Sequence, residues 1–261
     1  MQHFTVLFES GLVAGPYCWG WVASRLDKEK FYPIVHDRSS KTFFDACMRE
    51  RHYSDVLNRL LSSNGPIDRN GSPVIVVGHS IGGLLARSHA HYLGNRLAGI
   101  VLVDPSPPEQ FAAGIDSNFR YLRLKQILLR RIFRAFIGRG CKDEELESIK
   151  QLPLDYYREG RDRMAQTKFW IDAYCETIAA AKFWKETGFT PRSTSTLTAI
   201  VSSETAAVPE SLQAMHISDL IKVSERCCQF DDFNATHESI VFDEHDSMIV
   251  NRAISWVASQ Y

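Results

Sequence analysis

The chain has 261 residues, 44% of them hydrophobic and 23% charged, as is usual for globular proteins of one large or two small domains. Its formal net charge of −1 gives no electrostatic basis for binding nucleic acid, and no run of about 18 apolar residues predicts a membrane span. The six cysteines lack metal-ligand spacing and the N-terminus lacks a basic leader, so we expect a cytoplasmic protein with reduced thiols, no metal and no cofactor.

The first part of the chain alternates short apolar strands with amphipathic helices. Strands are predicted at 4–8, 32–36, 73–77 and 99–104, and helices at 19–26, 43–61 and 83–93. Such alternation predicts a parallel sheet, in which ligands lie beyond the carboxyl ends of the strands. The loop Ser10–Leu12, Ser80 and Asp104 each follow a predicted strand, and we therefore expect them at one edge of the sheet.

The alternation stops between about 109 and 190. This stretch is helical in character and rich in arginine and aromatic residues, which predicts an inserted cap over the site. Strands are predicted again at 197–202 and 226–230, and helices at 210–218 and 248–257. We therefore expect an α/β fold with about six mainly parallel strands flanked by helices, its core formed by 1–108 and 191–261 and its cap by 109–190.

The pentapeptide Gly78–Gly82 has the pattern Gly-x-Ser-x-Gly between a predicted strand and a predicted helix. The pattern alone is common, but this context favours a tight corner that carries the Ser80 hydroxyl out over the sheet edge. Ile81 then begins a helix, and its N–H and the Leu12 N–H are candidate hydrogen-bond donors to an oxyanion. We expect His79, inside the same corner, to make a structural hydrogen bond.

Four segments carry a resemblance to the α/β-hydrolase fold family. They are Leu7–Leu12 with Trp19, His36–Arg38, the Gly78–Gly82 corner, and Leu102–Pro105 with the C-terminal residues from His237. The resemblance covers nearly everything outside 109–190, and it implies a nucleophile, an acid and a histidine in that chain order. The chain departs from the family at 39–42, where a glycine-rich turn is usual, and it lacks the two leading antiparallel strands of larger members.

A serine nucleophile needs an imidazole base and a carboxylate that orients the imidazole. His216, His237 and His245 lie late enough for the implied order, and the position before the terminal helix favours His237, with His245 as the alternative. The acid is open between two residues. Asp104 ends a predicted strand and precedes a proline, whereas Glu204 follows the next strand; the strand-end position favours Asp104.

The leading hypothesis is a serine hydrolase that cleaves a carboxylic ester or thioester with an apolar moiety through an acyl-enzyme. The expected partner is a small apolar ester-type molecule, because the predicted cap is rich in aromatic residues. Acyl transfer and amide cleavage use the same triad, while the resemblance disfavours epoxide hydrolases and dehalogenases, which use Asp where Ser80 stands. The alternative class is a catalytically silent receptor or scaffold that binds an apolar ligand.

The segment 120–139 contains seven basic residues and no acidic one. Leu124, Leu128 and Ile132 form an apolar stripe at helical spacing. Such a helix is typical of a lid that shields a pocket, which we favour, and also of weak contact with a membrane surface. No feature of the sequence defines the oligomeric state.

Overall fold

A six-stranded sheet organises the part of the chain that the structure describes. The computed structural model describes residues 2–38, 71–107, 115–141, 146–187 and 194–261. The strands are β1 (Phe4–Glu9), β2 (Phe31–Val35), β3 (Val74–His79), β4 (Leu97–Val103), β5 (Thr194–Ser202) and β6 (Ser224–Asp231). All neighbouring pairs are parallel, in the order β2-β1-β3-β4-β5-β6, which confirms the predicted α/β architecture.

Helices cover both faces of this sheet. The described helices are α1 (Gly20–Ser24), α2 (Ile81–Leu93), α3 (Ile115–Phe136), α4 (Leu154–Met164), α5 (Thr167–Thr187), α6 (Leu212–Val223), α7 (Ser239–Phe242) and α8 (Met248–Gln260). Successive strand residues point to opposite faces: Val6 and Phe8 pack in one buried cluster, and Leu7 packs in the other. This two-sided burial explains why β1, β3 and β4 are nearly continuous apolar runs rather than alternating ones.

The strand order reverses direction at β1. The chain places β2 on one side of β1 and then returns to place β3 on the other side. At such a switch point the loops leaving the two central strands diverge and open a crevice at their carboxyl ends. Glu9, the last residue of β1, is in register with Gly78 of β3, so the loop after β1 and the corner at Ser80 border that crevice together.

Helices α3, α4 and α5 lie between β4 and β5 in the chain. Helix α3 packs along α5, and α4 packs against the short 3₁₀ turn Pro16–Trp19 that follows the β1 loop. The helix predicted at 43–61 lies outside the described residues, as do the ends of the predicted cap. Among the helices that the structure describes, none combines the length and the apolar character needed to cross a bilayer.

Candidate active site

Ser80 occupies a strained corner between β3 and α2. Its backbone has φ 53° and ψ −124°, a conformation that L-residues rarely adopt. Residues held in such conformations cluster at functional sites. The corner closes because Gly78 and Gly82 have no side chains: a Cβ on Gly78 would lie 2.2 Å from the Gly82 carbonyl oxygen. The Ser80 N–H donates to the Val103 carbonyl at 3.0 Å, which ties the corner to β4.

The Ser80 hydroxyl faces an imidazole from the far end of the chain. His237 Nε2 lies 3.1 Å from Ser80 Oγ, and His237 Nδ1 lies 2.5 Å from Asp104 Oδ2. Because the Asp104 carboxylate only accepts, the Nδ1–H of His237 donates to it, and Nε2 is left to accept from the serine hydroxyl. The structure thus brings together three of the residues singled out in the sequence, in the relative positions that a serine nucleophile requires.

Asp104 is completely buried and held by four donors. Besides His237, it accepts from Ser203 Oγ at 2.7 Å, Thr205 Oγ1 at 2.7 Å and Gln213 Nε2 at 3.3 Å. Burial by itself raises the pKa of this carboxyl group, but the hydrogen bonds and the charge of His237, with the two hydroxyls, outweigh burial and lower it. The carboxylate therefore stays ionised and fixed opposite the imidazole.

His79 holds the backbone of the residue that faces Ser80. Its Nε2–H donates to the His237 carbonyl at 2.8 Å, which confirms the predicted structural hydrogen bond and supplies its partner. Burial and the neighbouring His237 lower the pKa of His79 to about 3, so this ring stays neutral. Its Nδ1 is buried and has no hydrogen-bond partner among the described residues.

Ser106 is a neighbour of Ser80 that sequence reasoning missed. Its Oγ lies 3.1 Å from Ser80 Oγ, and its N–H donates to the Ser80 carbonyl at 3.1 Å. When Ser80 donates to His237, the Ser106 hydroxyl is left to donate to Ser80. The available signal was its place two residues after Asp104, at the same strand end, where a serine between two prolines attracts no motif.

The loop after β1 lies directly against the corner. A Cβ on Gly11 would stand 3.3 Å from the Ser80 Cβ, and Leu12 lines the same cavity as Ser80. Ile81 is the first residue of α2, so its N–H has no acceptor within the helix. The two predicted oxyanion donors, Leu12 and Ile81, therefore flank the serine from the β1 loop and from the helix start.

Arg38 binds this loop from behind. Its guanidinium donates to the Ser10 carbonyl at 2.7 Å and the Gly11 carbonyl at 3.0 Å, and it pairs with Glu9 at 3.2 Å and Glu176 at 2.6 Å. Burial lowers the pKa of Arg38, but the two carboxylates more than reverse that effect, so the group stays charged. Since Glu176 belongs to α5, Arg38 joins the β1 loop to the helices between β4 and β5.

Glu9, His36 and His89 form a buried cluster of the kind that can bind a metal ion. Glu9 Oε1 accepts from His36 Nδ1 at 2.7 Å and from His89 Nε2 at 2.5 Å. Two ligands of one tetrahedral zinc ion would be about 3.3 Å apart, whereas these are hydrogen-bond separations, and Arg38 already compensates the carboxylate. Burial raises the pKa of Glu9, but the two histidines lower it by a larger amount. We therefore assign these residues to a hydrogen-bonded network.

The other sequence candidates make different contacts. Glu204 is exposed at the start of a short 3₁₀ turn, and its N–H donates to the Ala235 carbonyl. His245 is exposed, and its backbone N–H donates to Asp243, as expected for a residue near the start of α8. His216 is buried within α6. The geometry therefore favours His237 and Asp104 over the alternatives His245 and Glu204.

A cavity of about 700 Å³ opens over Ser80 and His237, within the size range of small-molecule sites. Its floor is the β1 loop and the corner, and its far wall comes from α3, α4 and α7. The wall combines apolar and charged side chains; it includes Val13, Leu124, Arg131, Glu147, Ile149, Met164, Glu238 and Phe242.

Comparison with known proteins agrees with this architecture. Residues 6–246 match the sequence model of the Alpha/beta hydrolase family. No curated protein matches the chain.

Several solved structures share the fold at low identity. The peroxisomal alpha-beta-hydrolase Lpx1 of Saccharomyces cerevisiae is 16% identical over 99% of this chain and 78% of its own, with a TM-score of 0.63. A soluble variant of the yeast monoglyceride lipase is 14% identical over 99% and 87%, with a TM-score of 0.56. A laboratory-evolved potato epoxide hydrolase is 14% identical over 100% and 94%, with a TM-score of 0.64. At these identities the similarity shows the fold alone.

Proposed function

Because the chain belongs to the alpha/beta hydrolase family, we propose that it is a serine hydrolase that cleaves a carboxylic ester or thioester with an apolar moiety. The observation that carries the proposal is the alignment of three side chains: Ser80 Oγ lies 3.1 Å from His237 Nε2, while His237 Nδ1 lies 2.5 Å from the buried Asp104. This alignment supplies a nucleophile, a base and a group that orients the base.

Catalysis begins when Ser80 Oγ attacks the substrate carbonyl carbon and His237 Nε2 accepts the hydroxyl proton. Asp104 stabilises the imidazolium, and the N–H groups of Leu12 and Ile81 bind the oxyanion. The intermediate collapses as His237 returns the proton to the leaving alcohol or thiol. Water then attacks the acyl-enzyme, again with His237 as base, which releases the carboxylic acid and regenerates the serine.

The cavity wall supports an apolar substrate. Leu124, Ile149, Met164 and Phe242 line the cavity above Ser80 and offer an acyl chain an apolar surface to pack against. The yeast monoglyceride lipase, whose structure matches 99% of this chain, was crystallised in complex with a substrate analogue. An ester with a medium or long acyl chain is therefore the substrate class that fits this wall.

Hydrolysis of p-nitrophenyl esters of graded acyl length tests the proposal. We expect Ser80→Ala and His237→Ala to lower kcat by about four orders of magnitude or more, and Asp104→Asn by about three to four. Glu204→Gln is the matched control, because it neutralises the alternative carboxylate, and it should retain nearly full activity.

The same assay separates the competing functions. A wild-type protein that binds these esters without hydrolysing them would support a silent receptor or scaffold and overturn the proposal. Release of p-nitrophenol that requires an added alcohol or amine would identify an acyltransferase. Full activity in Asp104→Asn with loss in Glu204→Gln would reverse the choice of the acid.

A further inference from the structure

Helix α3 is apolar on two sides. The stripe seen in the sequence, Leu124, Leu128 and Ile132, faces inward: Leu128 is completely buried, and Leu124 lines the cavity above Ser80. This side is accounted for by packing along α5. Packing along α5 does not explain a second set of large apolar side chains on the same helix.

The second set is exposed. Leu122 is 54% exposed, Leu129 49%, Phe133 63% and Phe136 76%, and Ile137 just past the helix end is 43% exposed. At 3.6 residues per turn these five positions fall within an arc of about 100° on one side of the helix. Gln126 is the one polar residue in this arc from Leu122 to Ile137, and exposed apolar side chains grouped in this way mark interaction sites. We call these five residues the outer face of α3.

Cationic side chains border the outer face. Arg123 and Arg130 are exposed on α3 next to it, and Arg139 is exposed just beyond the helix end. The sequence from 117 to 142 contains no acidic residue that could neutralise them. An apolar stripe bordered by arginines fits a surface that is apolar beneath and anionic at its boundary.

We propose that the outer face of α3 binds the surface of an anionic lipid bilayer, with its phenylalanines inserted among the acyl chains and its arginines among the headgroups. A second copy of the chain is a poorer occupant. Pairing two outer faces about a two-fold axis would bring Arg123 and Arg130 of one copy close to those of the other without compensating acidic groups.

This docking places the cavity next to the lipid. The inward side of α3 contributes Leu124 and Arg131 to the cavity, so one helix separates the bilayer from the space above Ser80. A membrane-derived ester would then reach the serine without crossing bulk water. The docking surface itself does not depend on the proposed hydrolase chemistry.

Co-sedimentation of the full chain with large unilamellar vesicles tests the docking without any turnover. We expect the protein to bind vesicles of phosphatidylcholine with about 30% phosphatidylserine, and to bind pure phosphatidylcholine at least about tenfold more weakly. The double variants F133S/F136S and R123Q/R130Q should each bind the anionic vesicles at least about tenfold more weakly than wild type.

The double variant V208S/M215S is the matched control. Val208 and Met215 are 58% and 50% exposed, respectively. Val208 lies in the loop between β5 and α6 and Met215 lies on α6, so their replacement does not alter the outer face of α3 and should leave vesicle binding unchanged. Far-UV circular dichroism of every variant checks that each is folded.

Three results would overturn the proposal. The first is wild-type protein that stays in the supernatant with anionic vesicles. The second is F133S/F136S that sediments with them as fully as wild type. The third is a wild-type dimer in light scattering that F133S/F136S converts to monomer, because the outer face would then bind a second copy.

Discussion

His79 shows how a single side chain can position the imidazole that we propose as the catalytic base. It donates from Nε2 to the His237 carbonyl, and its ring lies 4.7 Å from the His237 ring, measured between centroids. The loop that carries His237 has no regular secondary structure at that residue. A hydrogen bond to its backbone therefore limits how far Nε2 of His237 can move from Ser80.

Replacing His79 should slow catalysis more than it weakens binding. In His79→Leu we expect kcat for a p-nitrophenyl ester to fall about tenfold, the equivalent of one lost hydrogen bond, with little change in KM. His79→Gln keeps an N–H donor and should recover part of the loss. A His79→Leu variant with wild-type kcat would show that the contact has no positioning role.

At the same scale, the sequence predicted some contacts and missed others. The motif predicts Ser80 and the place before the terminal helix favours His237, since both signals are local, and the two side chains meet in the structure. Ser106 was not predicted, because a contact between two hydroxyls leaves no pattern in either segment. For Asp104, the position at a strand end could be read from the sequence. Its three further donors come from the turn at Ser203 and Thr205 and from Gln213, 99 to 109 residues further along the chain, so they depend on the complete fold.

At the scale of an element, helix α3 shows which features the sequence predicts and which it does not. The apolar spacing correctly predicted a helix with Leu124, Leu128 and Ile132 on one side, and that side is the inward one. The outer face escaped prediction because periodicity shows which residues share a side, whereas exposure depends on where α5 lies. The Arg38–Glu176 pair is a similar case: the two residues are 138 positions apart and come from unrelated elements.

For the whole molecule, the alternation of strands and helices was enough to predict the parallel sheet, because the pattern is repeated along the chain. A general rule for such sheets then places the ligand site where the strand order reverses. Buried ionisable groups were harder to predict. Their energetic cost depends on the complete structure, and two of them give the protein a testable dependence on pH.

Stability should fall on mild acidification. Burial lowers the pKa of His79 to about 3 and that of His216 to about 4, from 6.5. As pH falls below 6.5 the unfolded chain binds these protons and the folded chain does not, so the stabilisation present above pH 6.5 is lost progressively. Each group contributes about 1.4 kcal/mol per pH unit within its window.

Urea unfolding at pH 7, 6 and 5 measures this effect. In His216→Gln we expect the free energy of unfolding to depend less steeply on pH than in wild type, by about 1 kcal/mol per unit between pH 6 and 5. Met215→Gln, an exposed neighbour on α6 with no titratable group, should keep the wild-type slope. Equal slopes for His216→Gln and wild type would show that His216 takes up no proton on unfolding.

The proposed function depends most on Ser80 being a nucleophile activated by His237. Reaction with a fluorophosphonate probe, followed by peptide mapping, measures this directly. We predict a single adduct on Ser80 that is absent in Ser80→Ala and forms much more slowly in His237→Ala. A wild-type protein that takes up no probe, or an adduct that persists in Ser80→Ala, would contradict the account.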